Sequence, residues 1–494
     1  MSLNKKSVTV NAMWHSLAAL FSTGVRFLTI PILVRILNPE DFGNVAIAMA
    51  ILMFITMVFG NGGAVDSMVY FAKKRADMLS TLFWFNQALG ITLAASVYLL
   101  SPTVIIWLNA PNALPYIQAL CALFPILMLQ SVFRGQLIAK LRFAYIAKIN
   151  ASASTISTAI AVVLAYLGAG AWSLVIQHIL MHSVLALAFF RASCEKPSMK
   201  ISAATLKAFL PFYYKTAAYN SIIWLGSQAP LLFASKFAGA TGAGVYNMML
   251  RTSSLPREVF GQGFLMSFFS NLANSQAETQ SKESQQQSLF WATKLNLWIL
   301  GTIYAAAAVL AEPIVSLVLG AKFAPYWQMF QWLCVGMVFA SATGGFIGFL
   351  KGTGQVGAMT ILSIVRAALI MTLVFVFWRL DNQVLSIAVG YALANTLVTL
   401  IYFLVMIFYL KFNAKDLINN TFAPLMNLSL TSLGCFGLLQ LFSLHYTAHP
   451  LLLITVGLAI FGSLFILFCL LISRHDTLKL SRTVQYQLAQ KLGR

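Results

Sequence analysis

The sequence predicts an all-α integral membrane protein with about fourteen transmembrane helices, and three observations carry that expectation. Of its 494 residues 60% are hydrophobic and 9% charged, with a mean hydropathy of +0.82. The apolar residues gather into stretches of about 20, the length a helix needs to cross a bilayer's hydrocarbon core. Strand-type alternation is missing from these stretches, so backbone polar groups must be satisfied within helices rather than around a barrel. The first observation excludes a soluble fold and the third excludes a β-barrel.

In chain order the helices are expected near 10–34, 43–65, 79–100, 116–136, 146–168, 171–191, 208–234, 244–268, 288–311, 327–350, 356–379, 384–410, 422–443 and 450–473. The first is too long for the core of a signal peptide and has no small-residue cleavage pattern, so it is expected to stay. The seventh and eighth are set apart by the charges they carry.

Basic residues orient this map. Lys5 and Lys6 precede the first helix, and Lys73, Lys74 and Arg75 follow the second. Arg134, Lys140, Arg142 and Lys148 cluster around the connection from fourth to fifth, and Arg191, Lys196, Lys200 and Lys207 around that from sixth to seventh. Lys282, Lys351, Lys411 and Lys415 fall in later connections on the same side, and the tail adds Arg474, Lys479, Arg482, Lys491 and Arg494. These are 22 of the 32 Lys and Arg residues, against Arg35, Lys236, Lys322 and Arg379 on the alternate connections. Positive residues stay on the cytoplasmic side, so both termini are expected there, as an even number of spans requires. The net charge of +20 is then a topology signal, helped by anionic headgroups, and calls for no nucleic-acid partner.

The chain repeats itself with an offset of about 201 residues. Arg35-Ile-Leu-Asn-Pro-Glu-Asp-Phe-Gly43 closes the first helix, and Lys236-Phe-Ala-Gly-Ala-Thr-Gly-Ala-Gly244 closes the seventh. Each places a basic residue eight positions before a glycine in a short outer turn. The expected organisation is a six-helix lobe over 1–206, a second over 207–410, and two extra helices with a basic tail over 411–494. Transporters built from such repeats hold substrate where the halves meet. No outer connection exceeds about 16 residues, and the longest hydrophilic loop, 271–287, is a Gln/Ser-rich linker, so no extramembrane domain is available for catalysis.

Six basic residues fall inside the expected spans: Arg26, Lys215, Arg251, Arg257, Lys294 and Arg366. At the bilayer centre each costs roughly 2.5–3.5 kcal/mol if it faces lipid, and six would cost on the order of 15–20 kcal/mol, more than a domain's net stability. Those near helix ends can snorkel, Lys294 above all. The others are expected to line a wet cationic cavity, which suits an anionic substrate. Helical spacing puts His15, Ser22, Thr23 and Thr29 near Arg26 on one polar stripe. Arg251 and Glu258 are seven apart on one face, which also fits a structural pair, and Pro256 between them is expected to kink the helix. Lys215 has Tyr214 and Tyr219 nearby. Arg366 shares a face with Ser363, although the next residue along it is the apolar Met359.

Other chemistry lacks its residues. His178 and His182 are four apart on the sixth helix, but no carboxylate or cysteine accompanies them and no HExxH pattern exists, so an interior pair is expected rather than a metal site. The five cysteines are scattered without a CxxC, which fits small core residues. Twelve acidic residues, mostly in loops, leave no paired carboxylates for acid–base work. Walker-type phosphate loops are absent, so ATP is not the direct energy source. No cofactor or metal is expected.

Lys5-Lys6-x4-Asn11-Ala-Met-Trp14 followed by Val34-Arg35-Ile-Leu-Asn-Pro39-Glu-Asp-Phe42-Gly43 resembles the N-terminal signature of the polysaccharide-exporting flippases in the MOP (multidrug/oligosaccharidyl-lipid/polysaccharide) superfamily. Gly60-Asn-Gly-Gly-Ala-Val-Asp66 with Lys73-Lys74-Arg75 is similar to that family's second-helix ending. Gly242-Ala-Gly244-Val-Tyr246-Asn247 resembles its mid-chain element, and Leu255-Pro256 the proline after it. The similarity covers roughly residues 1–410. It implies two pseudo-symmetric six-helix lobes around a central cavity plus two C-terminal helices. It also implies transfer of an undecaprenyl-diphosphate-linked oligosaccharide from the inner to the outer leaflet. In related lipid II flippases, arginines on the first and eighth helices hold the diphosphate, a role that carries over to Arg26 and to Arg251 or Arg257.

The expected function is therefore non-enzymatic: flipping of a lipid-linked oligosaccharide across the bacterial cytoplasmic (inner) membrane by alternating access, for surface polysaccharide or lipopolysaccharide export. Arg26, Lys215, Arg251, Arg257 and Arg366 are the expected substrate-binding residues. Partners are the lipid-linked substrate, membrane lipids, and a polysaccharide polymerase with glycosyltransferases. One competing reading is a cation-coupled multidrug efflux pump of the same superfamily, which would need a membrane carboxylate. No Asp or Glu occurs between Val10 and Leu37, where those pumps often carry one. The other is a membrane-embedded polysaccharide polymerase or ligase, which would need a long outer catalytic loop.

Overall fold

In the computed structural model the described residues are 24, 29–71, 75–140, 142–193, 195–261, 282–352, 355–445 and 449–472. Every regular element among them is helical. Nine of the described helices are long and apolar enough to cross a membrane, or ten if the bent pair Pro111–Cys121 and Leu123–Ala139 is one span. The protein is an all-helical, multi-span membrane protein. The first expected helix falls mostly outside the described residues.

The chain forms two compact units, Met1–Leu255 with Ser363–Gly390, and Pro256–Leu362 with Tyr391–Arg494. In the first unit, the helix over 29–36 breaks at Asn38 and Pro39–Phe54 begins. The local sequence explains the start. Pro39 takes the first helical position, where its missing N–H costs nothing. The Asn38 N–H donates to Asp41 Oδ2 at 3.0 Å, and Glu40 and Asp41 put negative charge on the positive end of the helix dipole.

This helix then loosens into a π-helical segment, Ile55–Val65, and tightens again over Asp66–Phe71. Met78–Leu108 follows and ends at Asn109, which adopts a left-handed φ of 55°. Leu114–Cys121 and Leu123–Ala139 are a bent pair, with a 47° break at Ala122. Phe143–Tyr166 and Trp172–Ala192 form an antiparallel pair. The unit's core gathers Leu82, Phe133, Phe189, Phe209 and Tyr213, all buried.

Ala203–Pro256 is two helices joined by a kink at Gly239, whose φ of 67° and ψ of −168° are not helical. The turn expected over 236–244 contains this kink. Here the segments 39–43 and 240–244 meet. A Cβ on Gly43 would collide with the Ala240 carbonyl and lie 2.9 Å from the Gly244 nitrogen; a Cβ on Gly244 would collide with the Pro39 carbonyl and lie 2.8 Å from the Gly43 nitrogen. The 201-residue offset equates 43 with 244 and 39 with 240, and the close approaches join 43 to 244, 43 to 240 and 244 to 39.

The second unit opens on a short π segment, Arg257–Gly261. Lys282–Asn296 runs through a second π segment, Leu297–Gly301, into Thr302–Val309. The expected tenth span is two helices, Trp327–Ala342 and Gly344–Gly352. At their junction the Ser341 and Thr343 hydroxyls donate back to Val338 O and Ala340 O, competing with the helical ladder. Ala414–His445 and Pro450–Ile472 form a closing hairpin, joined to the unit by a core of Ala305, Ala306, Leu428, Cys435 and Phe461.

Candidate functional site

The expected substrate-binding residues fall as follows. Arg26 lies outside the described residues. Lys215 is exposed on Ala203–Pro256, on the turn that also presents Tyr213 and Thr216. Arg251 is exposed near the end of the helix that follows the Gly239 kink, and its carbonyl accepts from Ser254 Oγ. Arg366 is half-buried on Val356–Asp381, and the next residue, Ala367, packs at 3.1 Å from the Cβ position of Gly226. Lys215 and Arg366 therefore sit on packed helices, but Lys215 is three turns along from that contact. In the second unit, Arg257 is exposed and Glu258 half-buried in the π segment that Pro256 precedes. Lys294 lies 5.5 Å from the centre of the Trp298 ring, a cation–π contact that accounts for its charge locally.

One polar construction in the first unit surrounds the π segment Ile55–Val65. A π-helix uses i→i+5 hydrogen bonds and is often found at functional positions. Its Gly60-Asn61-Gly62-Gly63 stretch lets three neighbours approach. Ser131 faces Gly60, Asn220 faces Gly62, and the Tyr213 ring lies against Gly63. The Tyr213 hydroxyl donates to Asn86 Oδ1 at 2.9 Å and lies 3.1 Å from the Phe59 carbonyl, inside the π segment. Asn220 Nδ2 donates to Thr216 O at 2.8 Å, one turn back on its own helix.

Arg134 is the charged member of this construction. It lies inside Leu123–Ala139, half-buried, and its Nη1 donates to Asn61 Oδ1 at 2.9 Å. Its Nε is buried with no acceptor among the described residues. Sequence spacing grouped Arg134 with the connection after the fourth helix, two residues from an expected end at 136. The helix continues to Ala139 and brings the side chain inward. An Arg beside a Gly-Asn-Gly-Gly stretch of another span was the missed signal.

The histidine pair is interior, as expected. The rings stack at 6.4 Å, and His182 Nδ1 donates to Gln130 Oε1 at 3.0 Å. No group of three or more His, Cys, Asp or Glu side chains that could hold a metal ion occurs among the described residues. Cys121, Cys334, Cys435 and Cys469 are buried thiols. The arrangement can hold and orient an anion, and it lacks the nucleophile–base pairs that covalent chemistry needs.

A family described as "Polysaccharide biosynthesis protein" matches residues 32–328. The succinoglycan biosynthesis transport protein ExoT of Rhizobium meliloti (strain 1021) is 26% identical over 366 residues, covering 74% of this chain and 73% of that protein. The lipopolysaccharide biosynthesis protein WzxC of Escherichia coli (strain K12) is 23% identical, covering 82% of each. Among solved structures, the lipid II flippase MurJ in an inward closed conformation aligns with a TM-score of 0.76 at 15% identity, over 94% of this chain and 99% of that one. An inward-facing MATE multidrug transporter of the MOP superfamily aligns at 0.66 and 16% identity, over 80% and 96%.

Proposed function

This chain belongs to the polysaccharide biosynthesis protein family, transporters of the flippase type with a MurJ- and MATE-like fold, and from that premise we propose that it flips an undecaprenyl-diphosphate-linked oligosaccharide by alternating access. The chain is a multi-pass membrane transport protein of surface polysaccharide biosynthesis, not an enzyme. The flipping proposal rests above all on three exposed cations, Lys215, Arg251 and Arg257, in a chain that is 60% hydrophobic and 9% charged.

In this reading fourteen helices form two six-helix lobes, 1–206 and 207–410, followed by a two-helix extension over 411–494. The cationic residues, Arg26 and Arg366 included, line the interior between the lobes. The diphosphate enters from the cytoplasmic side of the inner membrane while the prenyl tail trails in the bilayer. Charge neutralisation favours closure of the inner gate, and outward opening delivers the glycan to a polysaccharide polymerase. Both termini remain in the cytoplasm, where the glycosyltransferases that build the substrate work.

The test is replacement of Arg26 or Arg251 by Ala in the producing strain. Surface polysaccharide should disappear while protein abundance in the membrane stays level. Normal polysaccharide output from both variants refutes the reading.

A further inference from the structure

Arg134 is held by a neutral partner. A guanidinium offers five N–H donors and accepts nothing; the group bonded to it is the Asn61 carboxamide, at 2.9 Å. An amide oxygen aims the guanidinium without cancelling its charge. Close by, Asn86 has a second buried donor, Nδ2, with no acceptor among the described residues, its Oδ1 being engaged by Tyr213. Arg134 reaches the π segment through Asn61, and Asn86 reaches it through Tyr213 and Phe59. Buried donors in native proteins find acceptors. Two of them around one loosened, glycine-rich turn point to an acceptor that the described residues do not supply.

We propose that Arg134, oriented by Asn61, is an anion-binding residue of the first unit that takes phosphoryl oxygens. The lipid-linked diphosphate is its physiological source, and in that respect the inference rests on the function proposed above. Arg134 lies five residues, about 7.5 Å of helix rise, from the end of its helix at Ala139. In that reading this is the cytoplasmic end, so Arg134 meets the headgroup early, before the deeper cations do. The guanidinium's planar fork suits phosphate oxygens in a way an ammonium does not. The repeat offset places Val335 opposite Arg134 and carries Gly60-Asn61-Gly62 onto Gly261-Gln262-Gly263. The amide is thus retained in both halves and the cation in one, which gives the first half alone this contact.

The experiment uses the purified full chain in nanodiscs, with polyprenyl diphosphate, inorganic diphosphate and phosphate-free polyprenol as probes. Arg134→Gln should weaken polyprenyl diphosphate binding by about tenfold or more, the loss of one charge-assisted hydrogen bond, and leave polyprenol binding unchanged. Arg134→Lys should recover part of the affinity. Asn61→Ala, which keeps the charge and removes its aim, should weaken binding by a smaller factor, and it serves as the test if Arg134→Gln does not fold. Inorganic diphosphate competing at the affinity of the lipid supports the site and assigns it to a free anion. Wild-type protein that binds the lipid diphosphate, with Arg134→Gln binding it equally well, overturns this inference alone. Equal loss of diphosphate and polyprenol in Arg134→Gln also overturns it, marking a structural pin. Wild-type protein that binds no diphosphate lipid overturns both readings.

Discussion

Gly43 and Gly244 face each other, each standing where the other's neighbouring backbone leaves no room for a Cβ. The contact is reciprocal: Gly43 meets the Ala240 carbonyl and Gly244 meets the Pro39 carbonyl. A methyl group at either position must push two helix ends apart. Overpacking of this kind costs about 1–3 kcal/mol. Gly43→Ala and Gly244→Ala should each lower the thermal midpoint of the detergent-purified protein, and the double variant should fall further, because neither methyl makes space for the other. Midpoints equal to wild type for both single variants would show that the helices separate at no cost.

Gly239 carries the sharpest local demand. Its φ of 67° with ψ of −168° is open to glycine and closed to L side chains, and strain there costs about 1–3 kcal/mol. Gly239→Ala should destabilise the protein by that amount. Gly239→Asn should fare no better, since asparagine's tolerance of positive φ is confined to the left-handed helical region, at a different ψ. Rescue by asparagine in a melting experiment would contradict the assigned backbone.

Tyr213 tests the π segment. Its hydroxyl is buried between Asn86 Oδ1 and the Phe59 carbonyl. Tyr213→Phe keeps the ring against Gly63 and strands both acceptors, a loss of about 1–3 kcal/mol. Hydrogen exchange around residues 55–65 should quicken more than exchange in Phe143–Tyr166. Uniform protection across both would separate the hydroxyl from the segment.

The Lys140–Glu195 ion pair is 2.9 Å long, with side chains 36% and 65% exposed. Water screens such a pair, so its contribution is about 0–1 kcal/mol. Glu195→Gln should leave the melting midpoint and the polysaccharide yield close to wild type. A large drop in either would assign Glu195 a role beyond this contact.

Much of the helical layout was legible because about 20 apolar residues in a row have few other uses. The outer turn expected from the two repeat copies falls on Gly239, and the interior histidine pair was readable from the missing third ligand. The π segments were not legible. Their i→i+5 bonding is set by what packs against them, and Gly60-Asn61-Gly62-Gly63 hints only at close approach. Arg134 was hidden by position: three extra residues of helix separate a charge that reports topology from one turned inward. The basic residues at 215, 251, 257 and 366 announced themselves as charges among apolar neighbours. Periodicity gave the face each occupies on its own helix, but it says nothing of what an opposing helix brings to that face.

The widened turns over Ile55–Val65 give this stretch an unusual tolerance of chain length. A wide turn holds one more residue than an α-helical turn, so removing a single amino acid there lets the coil close without a gap. The narrowed turn still sweeps a full circle, so the residues from Asp66 to Phe71 keep their angular places. A one-codon deletion between 55 and 65 is thus absorbed where it falls, and it would leave the buried Ser67 and Met68 facing their neighbours.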